Sequence, residues 1–256
     1  MKLKRLVPLL ALLVASQGHA DKTVQVIGDA ARPGPVAVTS TSRLGDVFRT
    51  AQVNAEGYWL GASWQQQSLV PAQKRLKAGI LFDLSLLQQK ALLDQQQPLA
   101  ELAKRLYTRI RALPVTGRRN HLLDPVAVEV TAAENSLVQA GDRFIFPARP
   151  NSVRVVGAVS TDCRLAYVPM QHARDYVKAC SPLAEADDDY IYLIQPDGQV
   201  TRLGTALWNL EEGQLVAPGA TVLVPVEVAG PTSAFPQLNA EMSEFIATQP
   251  LSEVAQ

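Results

Sequence analysis

Residues 137–148 read LVQAGDRFIFPA, and residues 215–226 read LVAPGATVLVPV. Leu, Val, Gly, a short apolar run and Pro fall in the same order at the same spacing. A second echo lies upstream, where Val24-Gln25-Val26-Ile27-Gly28 is matched by Val153-Arg154-Val155-Val156-Gly157. Each copy therefore opens with V-x-V-Φ-G and closes with L-V-x-x-G-x-x-Φ-Φ-Φ-P. Copy one runs from Val24 to Pro147 and copy two from Val153 to Pro225. Both ends are rich in β-branched and aromatic residues bounded by Gly and Pro, which predicts strands. Self-similarity of this kind constrains architecture before any single element is assigned.

Copy two is the compact version. Val153–Val159 and Arg164–Val168 read as neighbouring strands. Met170–Cys180 follows as a short helix with Ala173, Tyr176, Val177 and Cys180 on one face. Tyr190–Ile194 is a strand, Asp197-Gly198 a tight turn, and Val200–Leu203 and Thr221–Val228 complete the unit. A small mixed sheet crossed by one helix is an α+β arrangement. Copy one begins alike, with Val24–Gly28, a turn at Arg32-Pro33-Gly34-Pro35, and Val36–Thr39. A helix over Arg43–Ala51 is capped by Ser42 and turns Leu44, Val47, Phe48 and Ala51 to one side. Tyr58–Trp64 reads as a strand.

The copies then part. Copy one is longer by about fifty residues, and the excess has helical character. Ala72–Asp94 and Leu99–Leu113 are rich in Leu, Ala, Gln, Lys and Arg, all good helix formers. Pro98 fits a first helical turn, Gln95–Gln97 make a short polar break, and Pro114 stops the second helix. The expectation is an antiparallel helical hairpin over about residues 72–113, after which the strands resume at Val126–Val130. The tail, Phe235–Ala247, places Leu238, Met242, Phe245 and Ile246 at helical spacing, with Glu241 and Glu244 opposite. Docking onto its own second domain is the preferred reading of this amphipathic helix. Its acidic face disfavours association with an anionic bilayer.

The N-terminus bears on compartment. Lys2, Lys4 and Arg5 precede an apolar run from Leu6 to Ala15, then the small residues Ser16, Gly18 and Ala20. This is the layout of a secretory signal peptide over residues 1–20. The run is shorter than the roughly 20 residues an ordinary membrane span needs. With the signal removed, the formal charge moves from zero to slightly negative. That argues against nucleic acid, which demands a clustered basic surface. An even cysteine count in an exported chain predicts a disulfide between Cys163 and Cys180 rather than two buried thiols.

Catalytic sets are sparse. Only His121 and His172 follow the signal, too few beside an oxidisable cysteine pair for a structural zinc site. There is no G-x-S-x-G elbow and no phosphate loop. Asp187-Asp188-Asp189 lacks the spacing and central Gly of a calcium loop and reads as a solvated acidic loop. Glu129 and Glu134 would serve as a glycosidase pair only at a defined separation, which sequence does not supply. Thr116-Gly117-Arg118-Arg119-Asn120-His121 lies where the hairpin rejoins copy one. Adjacent arginines there either clamp an anion or form a solvated linker. Tyr58, Trp59 and Trp64 either stack on sugar rings or anchor the core.

In this order, the parts resemble the GfcC-like family of periplasmic proteins from capsule and exopolysaccharide operons. The resemblance rests on V-x-V-Φ-G, Arg32-Pro33-Gly34, Thr116-Gly117-Arg118, the L-V-x-x-G-x-x-Φ-Φ-Φ-P phrase and Phe235-Pro236-x-Leu238-Asn239. It implies two tandem β-grasp domains of the SLBB type, related to those of the outer-membrane polysaccharide export protein. The first would span residues 21–150 and carry the hairpin, and the second residues 151–229. A linker and amphipathic helix would occupy residues 230–256. It also implies a cleft arginine near the end of the hairpin, which by position is Arg118.

The resulting expectation is a periplasmic, non-enzymatic accessory of capsule or exopolysaccharide assembly or export, with neither cofactor nor metal. It would bind polysaccharide or export-channel proteins through the groove between the first domain and the hairpin. Arg118, Arg119 and Thr116 would supply polar contacts, and Trp59 or Trp64 stacking. The alternative is a periplasmic polysaccharide-modifying hydrolase or transferase, which needs facing carboxylates or an activated nucleophile.

Overall fold

A computed structural model describes residues 22–211, 214–228 and 234–251. The expected signal peptide lies outside the described residues. In the first domain β1 (Thr23–Gly28) and β2 (Gly34–Ala37) form a hairpin, followed by α1 (Leu44–Ala51), β3 (Ser63–Gln65), the helices α2 (Val70–Leu93) and α3 (Gln97–Ala112), β4 (Arg118–Arg119), α4 (Pro125–Val130) and β5 (Arg143–Phe146). The second domain contains β6 (Ser152–Gly157), β7 (Cys163–Ala166), α5 (Ala173–Lys178), β8 (Tyr190–Ile194), β9 (Val200–Gly204) and β10 (Thr221–Val224). The helix α6 (Leu238–Ala247) follows.

The two sheets have one topology. Their strand orders are β2-β1-β5-β3-β4 and β7-β6-β10-β8-β9. In each, the first and last strands lie side by side and parallel, and the other neighbours are antiparallel. The two halves of the repeated phrase are therefore partners. V-x-V-Φ-G pairs with the Φ-Φ-Φ strand, so that Gly28 sits opposite Phe146 and Gly157 opposite Val224. Both glycines have φ near +100°, at +91° and +107°. A Cβ on either would meet the partner's carbonyl oxygen at 2.0 Å or 2.2 Å. Only glycine fits where the chain leaves the sheet this close to its neighbour.

The sheets differ in what covers them. In β5 only Phe144 and Phe146 are buried, and they meet Phe48 of α1 edge to face. This one-sided burial matches the alternating text Arg-Phe-Ile-Phe. In β10 all four residues of Thr-Val-Leu-Val are buried, as expected of a strand covered on both faces. The second cover is the inserted hairpin. Ile80, Leu84, Leu87, Leu102, Leu106 and Ile110 share one apolar core with Val153, Val155, Leu193, Leu223, Phe245 and Ile246. A separate core holds the first domain together. The hairpin thus belongs to the first domain by sequence and to the second by packing. Its insertion point replaces the tight β8–β9 turn of copy two, so most of the excess length lies between β3 and β4.

The helix α6 docks as expected on its own second domain, and also along α2. Leu238, Met242, Phe245 and Ile246 are all buried. The Cys163–Cys180 disulfide is formed and ties β7 to the end of α5. Among the described residues no helix is long and apolar enough to cross a membrane.

Three local expectations are corrected. Val126–Val130 is not a strand but α4. Pro125 opens that helix and the Asp124 carboxylate accepts from Val126 N at 2.9 Å, an N-cap that outweighs the β-branched run. Tyr58–Trp64 is not a continuous strand, because Trp59–Gly61 forms a turn of 3-10 helix before β3. Ser42 does not cap α1. Its hydroxyl accepts from Thr39 N, and Asp46 closes the helix start by accepting from Arg43 N at 3.0 Å.

Candidate functional site

The seam around Thr116–Arg119 gathers side chains from three parts of the fold. β4 follows the hairpin and pairs with β3, opposing Arg118 to Gln65 and Arg119 to Trp64. Gln73 of α2 reads the seam as a strand would. Its amide donates to Arg118 O at 2.9 Å, and its carbonyl accepts from Gly117 N at 2.8 Å. Thr116 Oγ1 donates to Thr248 O at 2.7 Å and accepts from Arg118 N at 3.1 Å.

Arg118 is 7% exposed. Its Nη1 donates to Ala247 O at 3.1 Å and Gln249 O at 3.2 Å. Its Nη2 donates to Ala62 O at 3.1 Å and to Pro196 O. Four backbone carbonyls, from the start of β3, the β8–β9 turn and the end of α6, thus converge on one guanidinium. Desolvation pushes its pKa down to about 10, with Asp197 opposing the shift. A small cleft of about 140 Å³ opens beside it, flanked by Asp197 and Glu244. The Nη hydrogens are committed to carbonyls and the cleft mouth carries carboxylates. This geometry suits a joint between domains better than an anion clamp.

Of the other expected site residues Thr116 bonds Arg118, whereas Arg119 and Trp64 turn to each other. The Arg119 guanidinium lies over the Trp64 ring at 4.7 Å. Trp64 has no exposed surface, and its Nε1 donates to Asp142 Oδ2 at 2.8 Å. It therefore offers no face to a sugar and is a core anchor of the first domain, which corrects the stacking role expected of it. Trp59 is exposed. Tyr58 donates to Pro218 O at 2.6 Å, a second contact across the domains.

The expected groove between first domain and hairpin is also relocated. The hairpin faces the second domain, and a cleft of about 590 Å³ lies between its tip and that domain. Leu87, Lys90, Asp94 and Leu99 form one wall, with Glu185, Glu227 and Phe235 opposite. Glu129 lines a cleft of about 410 Å³ between α1 and α4, and Glu134 does not. Asp187 Oδ1 is taken up by the N–H groups of Asp189 and Tyr190.

Two surface features escaped the sequence reading. On α2, Phe82, Leu86 and Leu93 are 67%, 41% and 84% exposed. Their spacing repeats every turn or two, so they form a row on the face turned away from the second domain. After β9, Leu207 and Trp208 are also exposed. The signal for both was present as apolar residues beyond those needed for one buried stripe.

Comparison with known proteins follows the same division of the chain. The family model described as "Capsule biosynthesis GfcC, N-terminal" matches residues 20–148, and that described as "Capsule biosynthesis GfcC C-terminal" matches residues 161–250. The chain is 27% identical over 219 residues to YjbG of Escherichia coli (strain K12), described as an uncharacterized protein. The match covers 86% of each chain.

Proposed function

The chain belongs to the GfcC family of capsule-biosynthesis proteins, and from that premise we propose that it is a periplasmic, non-enzymatic accessory that docks on a protein of the polysaccharide assembly or export machinery. The observation that carries this reading is the exposed apolar row of Phe82, Leu86 and Leu93 on α2. Large apolar residues grouped on one face of a 24-residue helix are expensive to leave in water and mark contact surfaces. The inner face of α2 is fixed against the second domain, so its outer face is presented as a rigid edge. The joint at Arg118 supports the same reading, since it locks both domains and α6 into one body. The disulfide suits an oxidising compartment such as the periplasm.

Surface polysaccharide display in a deletion strain tests the role. Complementation with Phe82→Ser/Leu86→Ser tests the surface. Loss of display in the deletion, restored by the wild type and not by a folded double variant, is expected. Normal display in the deletion strain would sink the assembly role. Photo-crosslinking from position 86 in cells should trap a protein of that machinery.

A further inference from the structure

The loop after β9 holds a tryptophan out in water by design of its hydrogen bonds. Gly204, the last residue of β9, lets the loop fold back, since a Cβ there would sit 2.0 Å from Asn209 O. The returning loop is then stitched to the Asp187–Asp189 turn. Thr205 N and Asn209 Nδ2 both donate to Asp189 O, at 2.8 Å and 2.9 Å. Thr205 Oγ1 donates to Asp188 O at 3.0 Å. Trp208 Nε1 donates to Asp189 Oδ1 at 3.0 Å, and its ring meets that of Tyr190 edge to face at 6.2 Å. The exposed Arg202 guanidinium stacks over Tyr190 at 3.4 Å.

The indole is nevertheless 70% exposed. Its one polar group turns inward, and apolar ring surface is left in solvent. Burial alone would select the opposite orientation, because a tryptophan ring is among the largest apolar groups a chain can withdraw from water. A loop wired this closely to keep such a ring outside fits a surface meant to be covered.

We propose that Trp208, braced by Tyr190 and flanked by Arg202 and Asp189, is a stacking platform for a neutral sugar ring of a polysaccharide. The apolar C–H face of a hexose covers the indole. Its hydroxyls donate to carboxylate and accept from guanidinium at the rim. Charge selects among sugars. Asp187, Asp188 and Asp189 gather here, and they help burial raise the Glu227 carboxyl above its ordinary pKa. A uronate or phosphate unit is repelled by that field, whereas a neutral unit is not. The same field disfavours an anionic membrane surface.

This inference rests on the reading that the chain handles a polysaccharide, but concerns a different face from α2. The test is native affinity electrophoresis of the purified protein in gels holding dextran, galactomannan, xyloglucan or polygalacturonate. Retardation by at least one neutral polymer is expected, weakened tenfold or more in Trp208→Ala and partly kept in Trp208→Phe, with Leu207→Ser unchanged. No retardation by any neutral gel, equal retardation of Trp208→Ala, or stronger retardation by polygalacturonate overturns the platform. So does Trp208-dependent binding to phosphatidylcholine vesicles in its place. Failure here with a display defect in the deletion strain removes the platform alone. Trp208-dependent binding with normal display removes the assembly role alone.

Discussion

Nη2 of Arg118, just past the inserted hairpin, donates to the carbonyl of Pro196 in the β8–β9 turn. The break in copy one is thereby tied to the place in copy two where no break occurred. Arg118→Ala would leave four buried or half-buried carbonyls without their donor. A loss of about 3 kcal/mol is expected, since bonds to charged groups contribute about 1.5–3 kcal/mol each and water recovers part. Lysine, with one compact ammonium, should rescue less than half. Urea unfolding measures both, and a loss below about 1 kcal/mol would mean that Arg118 is not the joint.

The hairpin packs on the second domain, so a cavity in it should act there. Ile80 is fully buried against that core. Ile80→Ala is expected to cost about 2–5 kcal/mol. Amide protection should fall in β6 and β10 while β1 and β5 keep theirs. Equal loss in both sheets would contradict two separate cores.

Copy two was legible because each element agrees with its neighbours. Tyr190–Ile194 is β-branched and aromatic, and Asp197-Gly198 supplies the turn that follows. Val126–Val130 has the β propensity of a strand, but the Asp124-Pro125 start signal ahead of it makes it a helix. The domain on which the hairpin packs was not legible. α2 is apolar on more than one face, so no single stripe points to a partner. The joint at Arg118 was hidden for another reason: its partners are backbone carbonyls, which every residue carries. Thr116-Gly117-Arg118 located the seam, and only the fold shows what the arginine holds.

The disulfide encloses a short loop of the second domain, with its cysteines 17 residues apart. Cys163→Ser/Cys180→Ser is expected to lower stability by about 3 kcal/mol through the freedom restored to the unfolded chain. Urea unfolding of this variant should match that of the reduced wild type. A difference between the two would show that the serines act on the native state.

Tyr58 links stability to alkaline pH. Burial, the main cause, raises its pKa to about 12, against the pull of Arg149. The folded state therefore holds this proton more tightly than the unfolded chain, whose tyrosines titrate near 10. Its contribution is complete below pH 10 and is lost as pH climbs from 10 to 12. The ring is partly open to solvent, so about 1 kcal/mol is expected rather than the full value of the shift. Tyr58→Phe should flatten that part of the stability–pH curve, measured by urea unfolding at fixed pH steps. An unchanged slope would mean that the phenol is not withdrawn from water in solution.

The repeat itself makes the last prediction. Gly28 and Gly157 occupy one position in two copies, and each combines a left-handed φ with a carbonyl about 2 Å from any added Cβ. Gly141 also has a left-handed φ, of +90°, but nothing lies within 4 Å of its Cβ position. Alanine at Gly141 should therefore incur only the backbone term, about 1 kcal/mol. Alanine at Gly28 or Gly157 adds a clash with the partner strand that the ladder must open to relieve, for about 2–4 kcal/mol. The two costs should agree within about 1 kcal/mol if the copies are one domain used twice. Urea unfolding of the three single variants measures this. A Gly28→Ala cost no larger than that of Gly141→Ala would show that the close pairing of first and last strands is not what fixes this glycine.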